Sequence, residues 1–216
     1  MKHKYILFDL DGTLTDPKVG ITSAVAYSLK KLKGIEANLD DLTTFIGPPL
    51  KESFTNFYGF SEREADLAIE YYREYFADKG IFENEVYPGI HALLEDLKNT
   101  GAFVMAVATS KPTIFANRII KHFGLEGYFS CVVGSNLDGS RVKKAEVIAE
   151  VLSQLHVDDK REAIMIGDRE HDVIGAKQVG IDVIGVAYGY GTYEELEYAG
   201  ADFIVSQIIE IKELLL

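Results

Sequence analysis

Short runs of continuously apolar residues recur along this chain with longer amphipathic segments between them, and this alternation constrains the fold more than any other feature. Residues 5–9 (YILFD) read as a first buried strand, 102–109 (AFVMAVAT) as a second, 130–134 (SCVVG) as a third and 163–167 (AIMIG) as a fourth. Weaker strand patterns fall at 181–186 and 202–205. Helical periodicity fills the intervals at 89–97, 113–123, 144–155 and 172–179, and the stretch 208–216 reads as a closing amphipathic helix. Strands that are apolar throughout are buried on both faces, which indicates a parallel sheet covered by helices on either side. The expected class is α/β with a three-layer parallel core. Right-handed crossovers bring the C-terminal ends of all strands to one edge, where ligands bind in open α/β sheets.

One stretch breaks the alternation. From about 17 to 84 there is no strand pattern, only helical segments at 19–33, 50–58 and 61–79, punctuated by Gly34, Gly47-Pro48-Pro49 and Gly59. Tyr87-Pro88-Gly89 marks the return, with Pro88 suited to open the next helix. The expectation is a core of residues 1–16 and 85–216 with a helical insert at 17–84. A chain of 216 residues is long enough for both. Its single cysteine, Cys131, permits no intrachain disulfide and fits a reducing compartment. The apolar run before Asp9 is too short for a signal peptide, and no stretch approaches the ~20 apolar residues of a membrane span, so a cytoplasmic protein with no membrane partner is expected. A net charge of −12 argues against long nucleic acid as a partner. It leaves room for small anions, because a bound cation can dominate a local field.

Four segments carry candidate chemistry. The first strand ends in Asp9-Leu10-Asp11-Gly12-Thr13, two carboxylates two residues apart before a glycine turn. Such close carboxylates repel unless a cation or proton joins them. A hard cation such as Mg²⁺ suits oxygen ligands. An aspartate can also attack phosphorus while a neighbouring carboxyl handles the proton. The second strand ends at Thr109-Ser110-Lys111-Pro112, where a hydroxyl and backbone N–H groups can meet a phosphoryl oxygen, or Thr109 or Ser110 can simply cap the following helix. Arg141, Lys143 and Lys144 precede a helical pattern, where positive charge opposes the helix dipole; they read either as a solvated basic cluster or as the source of a lysine that neutralises Asp9 and a transferring phosphoryl group. The fourth strand runs into Gly167-Asp168 with Asp172 four residues on, so Asp9, Asp11, Asp168 and Asp172 form an expected acidic cluster around one metal ion.

The order of these signals resembles the haloacid dehalogenase-like hydrolase superfamily over nearly the whole chain. The resemblance implies a Rossmann-like core with an inserted cap, and Mg²⁺ as cofactor. It implies Asp9 as nucleophile, Asp11 as acid/base and Thr109 as a phosphoryl contact. Lys144 is preferred over Lys143 because in the family the lysine directly precedes the helix. The same resemblance makes Asp168 a direct Mg²⁺ ligand, Asp172 a ligand through water or from outside, and the Asp11 main-chain carbonyl a further ligand. Backbone N–H groups of Leu10 and Ser110 would share the phosphoryl charge, although Ser110 stands where many relatives have Asn. The insert resembles the C1-type cap of phosphoglycolate phosphatases. Residues 45–50, 134–148 and 189–191 are similar to segments of bacterial 5′-nucleotidase-like members. Gly47, Pro48, Pro49 and Leu50 are the expected cap substrate loop, and Arg141 is a candidate for a remote substrate anion.

The expected reaction is therefore hydrolysis of a small phosphorylated metabolite, with a nucleoside 5′-monophosphate ahead of phosphoglycolate, by a monomer or small homo-oligomer. A β-phosphoglucomutase-like phosphomutase, a 2-haloacid dehalogenase and a non-catalytic binding protein are the alternatives; the dehalogenase needs no metal and would not want Asp11 or the Asp168 cluster.

Overall fold

The computed structural model describes residues 3–216. They divide into two compact units, residues 3–16 with Val86–Leu216, and Pro17–Glu85. In the first unit, strands β1 (Tyr5–Phe8), β4 (Val104–Pro112), β5 (Val132–Ser135), β6 (Ala163–Gly167), β7 (Asp182–Val186) and β8 (Phe203–Val205) form one sheet in the order β5-β4-β1-β6-β7-β8. Every recorded pairing is parallel. Two short strands, β2 (Thr15–Asp16) and β3 (Glu85–Val86), pair as a separate ribbon where the chain leaves the core and returns.

The register brings the candidate residues to one edge of the sheet. Phe8 pairs with Val107 on one side and Ile166 on the other, so Asp9 and Asp168 follow directly from the ends of β1 and β6, and Thr109 lies on the adjacent β4 just past its ladder with β1. β4 runs farther than the apolar pattern suggests. Its register slips between Ala108 and Pro112, and this irregularity carries Thr109, Ser110 and Lys111 beyond the regular ladder.

The second unit is helical: α1 (Lys18–Lys33), α2 (Leu50–Tyr58) and α3 (Glu62–Phe76), with a 3₁₀ segment at Leu39–Phe45. Ser61 caps α3 in a capping box with Glu64, and Gly34 and Gly59 end α1 and α2 in the left-handed conformation. α3 stops at Phe76, short of the expected 79, because the chain there turns into Gly80 beside Gly20. A Cβ on Gly20 would lie 1.9 Å from the carbonyl oxygen of Gly80. Gly20→Ala is therefore expected to destabilise this unit by about 1–3 kcal/mol. Urea denaturation of the variant checks this, and an unchanged midpoint would contradict it.

The remaining helices belong to the first unit: α4 (Ile90–Asn99), α5 (Thr113–His122), α6 (Lys144–Gln154), α7 (Glu170–Val179), α8 (Tyr193–Ala199) and α9 (Ile208–Leu215). Leu7, Ala106, Ala108, Ala163, Met165 and Val183 alternate along their strands and pack with Val147, Ile148 and Val151 of α6 and Val173 and Ala176 of α7. Ile6, Phe8, Val107, Ile164 and Ile166, the intervening residues, are equally buried on the opposite face. Both faces of the sheet are thus covered, as a parallel sheet requires. Among the described residues, no helix is long and apolar enough to cross a membrane.

Candidate active site

The chain emerging from β1 is held in a tight turn. Asp9 N–H donates to Ile166 O at 2.8 Å, continuing the parallel ladder by one bond. The carbonyl of Leu10 then accepts from Leu14 and Thr15 N–H, each at 2.9 Å, and Gly12 N–H donates to Thr15 O at 2.8 Å. Gly12 has φ +82°, and a Cβ there would sit 2.1 Å from Asp168 Oδ2. Glycine is required both for the backbone conformation and for the approach of Asp168.

Lys144, the first residue of α6, is buried beneath this turn. Its Nζ lies 2.9 Å from Asp9 Oδ1 and 2.7 Å from Asp172 Oδ1, and donates to Ala108 O at 3.1 Å. Lys143, its neighbour, is exposed. Burial alone would make the Lys144 ammonium easier to deprotonate, but Asp172 and Asp9 outweigh it and hold the group above its ordinary value.

Asp168 and Asp172 come from the β6–α7 junction and are fully buried. Asp168 Oδ2 accepts from Tyr190 N–H at 2.8 Å, and Oδ1 has a long contact of 3.4 Å from Thr13 Oγ1. Asp172 Oδ2 accepts from Arg169 N–H at 3.1 Å. The start of α7 is fastened by Glu195, which accepts from Arg169 Nε and from Glu170 N–H, both at 2.9 Å.

Asp9, Asp168 and Asp172 each offer an oxygen within 4.8 Å of the others. Asp11, the fourth carboxylate of the expected cluster, is turned instead to Lys111, with Oδ2 2.8 Å from Nζ. Its side chain lies outside the three-carboxylate group. Lys111 is the residue that the sequence reading passed over. The only signal for it was its place directly after Thr109-Ser110, and a lysine in that position reads as a solvated side chain until the fold buries it.

Burial, with repulsion from Asp172 and Asp9, pushes Asp168 well above the ordinary carboxylate range. Burial also raises Asp172 and Asp11, against the pull of Lys144 and Lys111 respectively. Four buried carboxylates face two ammonium groups, so the site carries an excess of negative charge. Asp9 Oδ1, Asp172 Oδ1 and Asp11 Oδ1 receive no well-directed hydrogen bond, although the first two are within ion-pair distance of Lys144. Orphaned buried oxygens around a deficit of positive charge fit a hard divalent cation.

This arrangement predicts a trade-off at Asp168. Without a cation, a carboxyl whose value is raised by folding stabilises the fold at low pH and ceases to do so as the pH rises through that value. At neutral pH in chelator, Asp168→Asn should raise the melting temperature, since an amide can accept from Tyr190 N–H and face Thr13 Oγ1 without charge. Adding Mg²⁺ should stabilise the wild type and not the variant. Thermal melts with and without Mg²⁺ check both; a variant less stable than the wild type in chelator would contradict the electrostatic account.

The other expected site residues are placed as follows. Thr109 is buried and its Oγ1 accepts from Lys111 N–H at 3.2 Å, which leaves its own proton available. Ser110 O accepts from Ser135 Oγ at 2.8 Å. Leu10 is fully buried. Arg141 is engaged on its own loop, donating to Gly134 O at 2.9 Å and to Asn136 Oδ1 at 3.1 Å, with φ +53°. Gly47, Pro48, Pro49 and Leu50 lie in the helical unit, leading into α2.

Comparison with known proteins shows the family. The family of haloacid dehalogenase-like hydrolases matches residues 6–186. A 5′-nucleotidase of Pseudomonas aeruginosa is 45% identical over 196 residues, covering 91% of this chain and 88% of its own length. A phosphoglycolate phosphatase of Vibrio parahaemolyticus is 31% identical, covering 98% of this chain and 95% of its own. The crystal structure of a predicted phosphatase from Clostridium acetobutylicum superposes with a TM-score of 0.95 at 52% identity, covering 100% of this chain and 99% of that one. The chain belongs to the haloacid dehalogenase-like hydrolases, among the phosphatases of that family.

Proposed function

We propose that this phosphatase transfers the phosphoryl group of a small phosphomonoester to Asp9 and then to water. The observation that carries this reading is the buried set of Asp9, Lys144, Asp172 and Asp168, with Asp11 and Lys111 beside it. Mg²⁺, held by Asp9, Asp168 and Asp172 with the Asp11 main-chain carbonyl, would supply charge neutralisation for the phosphoryl oxygens.

An Asp9 carboxylate oxygen attacks phosphorus, and the bond from phosphorus to the ester oxygen breaks. Asp11, kept protonated more readily by burial, gives its proton to the departing alkoxide, which leaves as an alcohol. Asp11 then takes a proton from water as that water attacks phosphorus, and the acyl phosphate breaks to inorganic phosphate and free Asp9. Thr109 Oγ1 donates to a phosphoryl oxygen, its acceptor role being taken by Lys111 N–H. The N–H groups of Leu10 and Ser110 donate as well. Lys144 holds Asp9 in place, being itself anchored on Asp172 and Ala108 O.

A nucleoside 5′-monophosphate is the favoured substrate, on the similarity to the Pseudomonas 5′-nucleotidase. The Vibrio relative supports phosphoglycolate as a second reading. Gly47, Pro48, Pro49 and Leu50 are proposed as the loop that selects between them. A panel of nucleoside monophosphates, phosphoglycolate and sugar phosphates, assayed for phosphate release with Mg²⁺, should give the highest kcat/KM for a nucleotide. Preference for phosphoglycolate would overturn the nucleotide reading. Interconversion of sugar phosphates without phosphate release would overturn hydrolysis itself.

A further inference from the structure

Between β7 and α8 the chain passes through Tyr188, Gly189, Tyr190 and Gly191, which have no part in the chemistry above. Tyr190 N–H donates to Asp168 Oδ2 at 2.8 Å, while the Tyr190 hydroxyl bonds the carboxylate of Asp16 at the end of β2. The Tyr188 hydroxyl donates to Thr13 O at 2.9 Å, and its ring meets Tyr87 edge-on with centroids 5.3 Å apart. There is no room for side chains on the intervening glycines. A Cβ on Gly189 would lie 2.3 Å from Gly12 O and 2.4 Å from Asp168 Cβ, and one on Gly191 would lie 2.0 Å from Asp168 O. The segment is threaded between Asp168 and the turn that carries Asp9 and Asp11, and is tied to that turn at Thr13 and Asp16.

A carboxylate can rotate about its last bond, so its usefulness as a ligand depends on what fixes it. Here Oδ2 is committed to the Tyr190 N–H, and Oδ1 has only the long contact from Thr13 Oγ1. We infer that residues 188–191 act as a clamp that fixes the Asp168 carboxylate with Oδ1 open to the cation, and that Tyr190 is a positioning residue whose hydroxyl, anchored on Asp16, holds the clamp in register. The inference rests on the reading of Asp168 as a cation ligand. Tyr190 acts on the cation only through Asp168, and loss of its hydroxyl should loosen the N–H rather than remove it.

The test is the Mg²⁺ concentration that gives half of the maximal thermal stabilisation, measured without substrate for the wild type, Tyr190→Phe and Gly189→Ala. Groups that orient a metal ligand typically change affinity by about 10–100-fold when altered. Tyr190→Phe should therefore raise the half-point by about 10-fold or more, and Gly189→Ala should raise it in the same direction. Mn²⁺ titrated in place of Mg²⁺ should give the same order of variants. A Tyr190→Phe protein that melts lower in chelator but keeps the wild-type half-point has lost only packing, and would overturn the clamp. A wild type that shows no stabilisation by Mg²⁺ would overturn the clamp and the metal reading together, so the two failures are distinguishable.

Discussion

Asp9→Asn is expected to lower phosphate release from an aryl phosphate by at least about 10³-fold, equivalent to roughly 4 kcal/mol of lost transition-state stabilisation. The electron pair of the amide nitrogen is delocalised into its carbonyl, and the uncharged amide oxygen is a poor nucleophile, so the variant lacks a group able to attack phosphorus at this position. The fold should survive, because Lys144 keeps Asp172 at 2.7 Å and Ala108 O at 3.1 Å as partners. Residual activity within about tenfold of wild type would mean that phosphoryl transfer does not pass through Asp9.

Lys144→Met should have the largest effect on stability. The substitution conserves most of the side-chain volume and removes the ammonium that sits between Asp9 and Asp172. Stranding a buried charge in this way costs about 3–5 kcal/mol. The sign with pH follows from the raised values. The Lys144 contribution is fully present at neutral pH and is lost only as the pH rises through its raised folded value, so the deficit is complete near pH 7. In the variant, Asp172 loses its opposing charge and takes up a proton more readily, so the deficit should shrink as the pH falls. Denaturant titrations of both proteins across acid and neutral pH check this. A deficit that grows towards acid pH would contradict the ion-pair account. Turnover should also fall to background, because Asp9 loses its positioning partner.

Much of this was legible in the chain because two periodicities do not overlap. Short β-branched and apolar runs such as AIMIG, too short for a helix, read as strands buried on both faces, and β6 spans Ala163–Gly167 in keeping with that pattern. The acids at 9, 168 and 172 stand directly after such strands or one helical turn on, so the topology alone brings them to one edge. The reach of β4 was not legible. Thr109-Ser110-Lys111-Pro112 is polar and proline-ended, and its extension depends on a register slip against β5 that leaves no trace in a one-dimensional pattern. Asp11 was grouped with the metal carboxylates because spacing along a chain does not tell which way a side chain turns. Its partner Lys111 enters from a different strand, 100 residues on. The helix Tyr193–Ala199 was missed for another reason: its seven residues bury little beyond Leu196, so it has too short an apolar stripe to reveal a period. The Gly-Tyr-Gly segment was visible as a motif, but only the close approach of Gly189 to Gly12 O and Asp168 explains why two glycines flank Tyr190.

The central claim is that the phosphoryl group resides on Asp9 during turnover. It is tested most directly by quenching the enzyme in the steady state with hydroxylamine, which cleaves an acyl phosphate and leaves a hydroxamate on the carboxyl carbon, and mapping the modified peptide by mass spectrometry. The account predicts substrate-dependent hydroxamate at Asp9, with none at Asp11, Asp168 or Asp172 and none in Asp9→Asn. Full turnover with no modification at Asp9, or modification at another carboxylate, would contradict it.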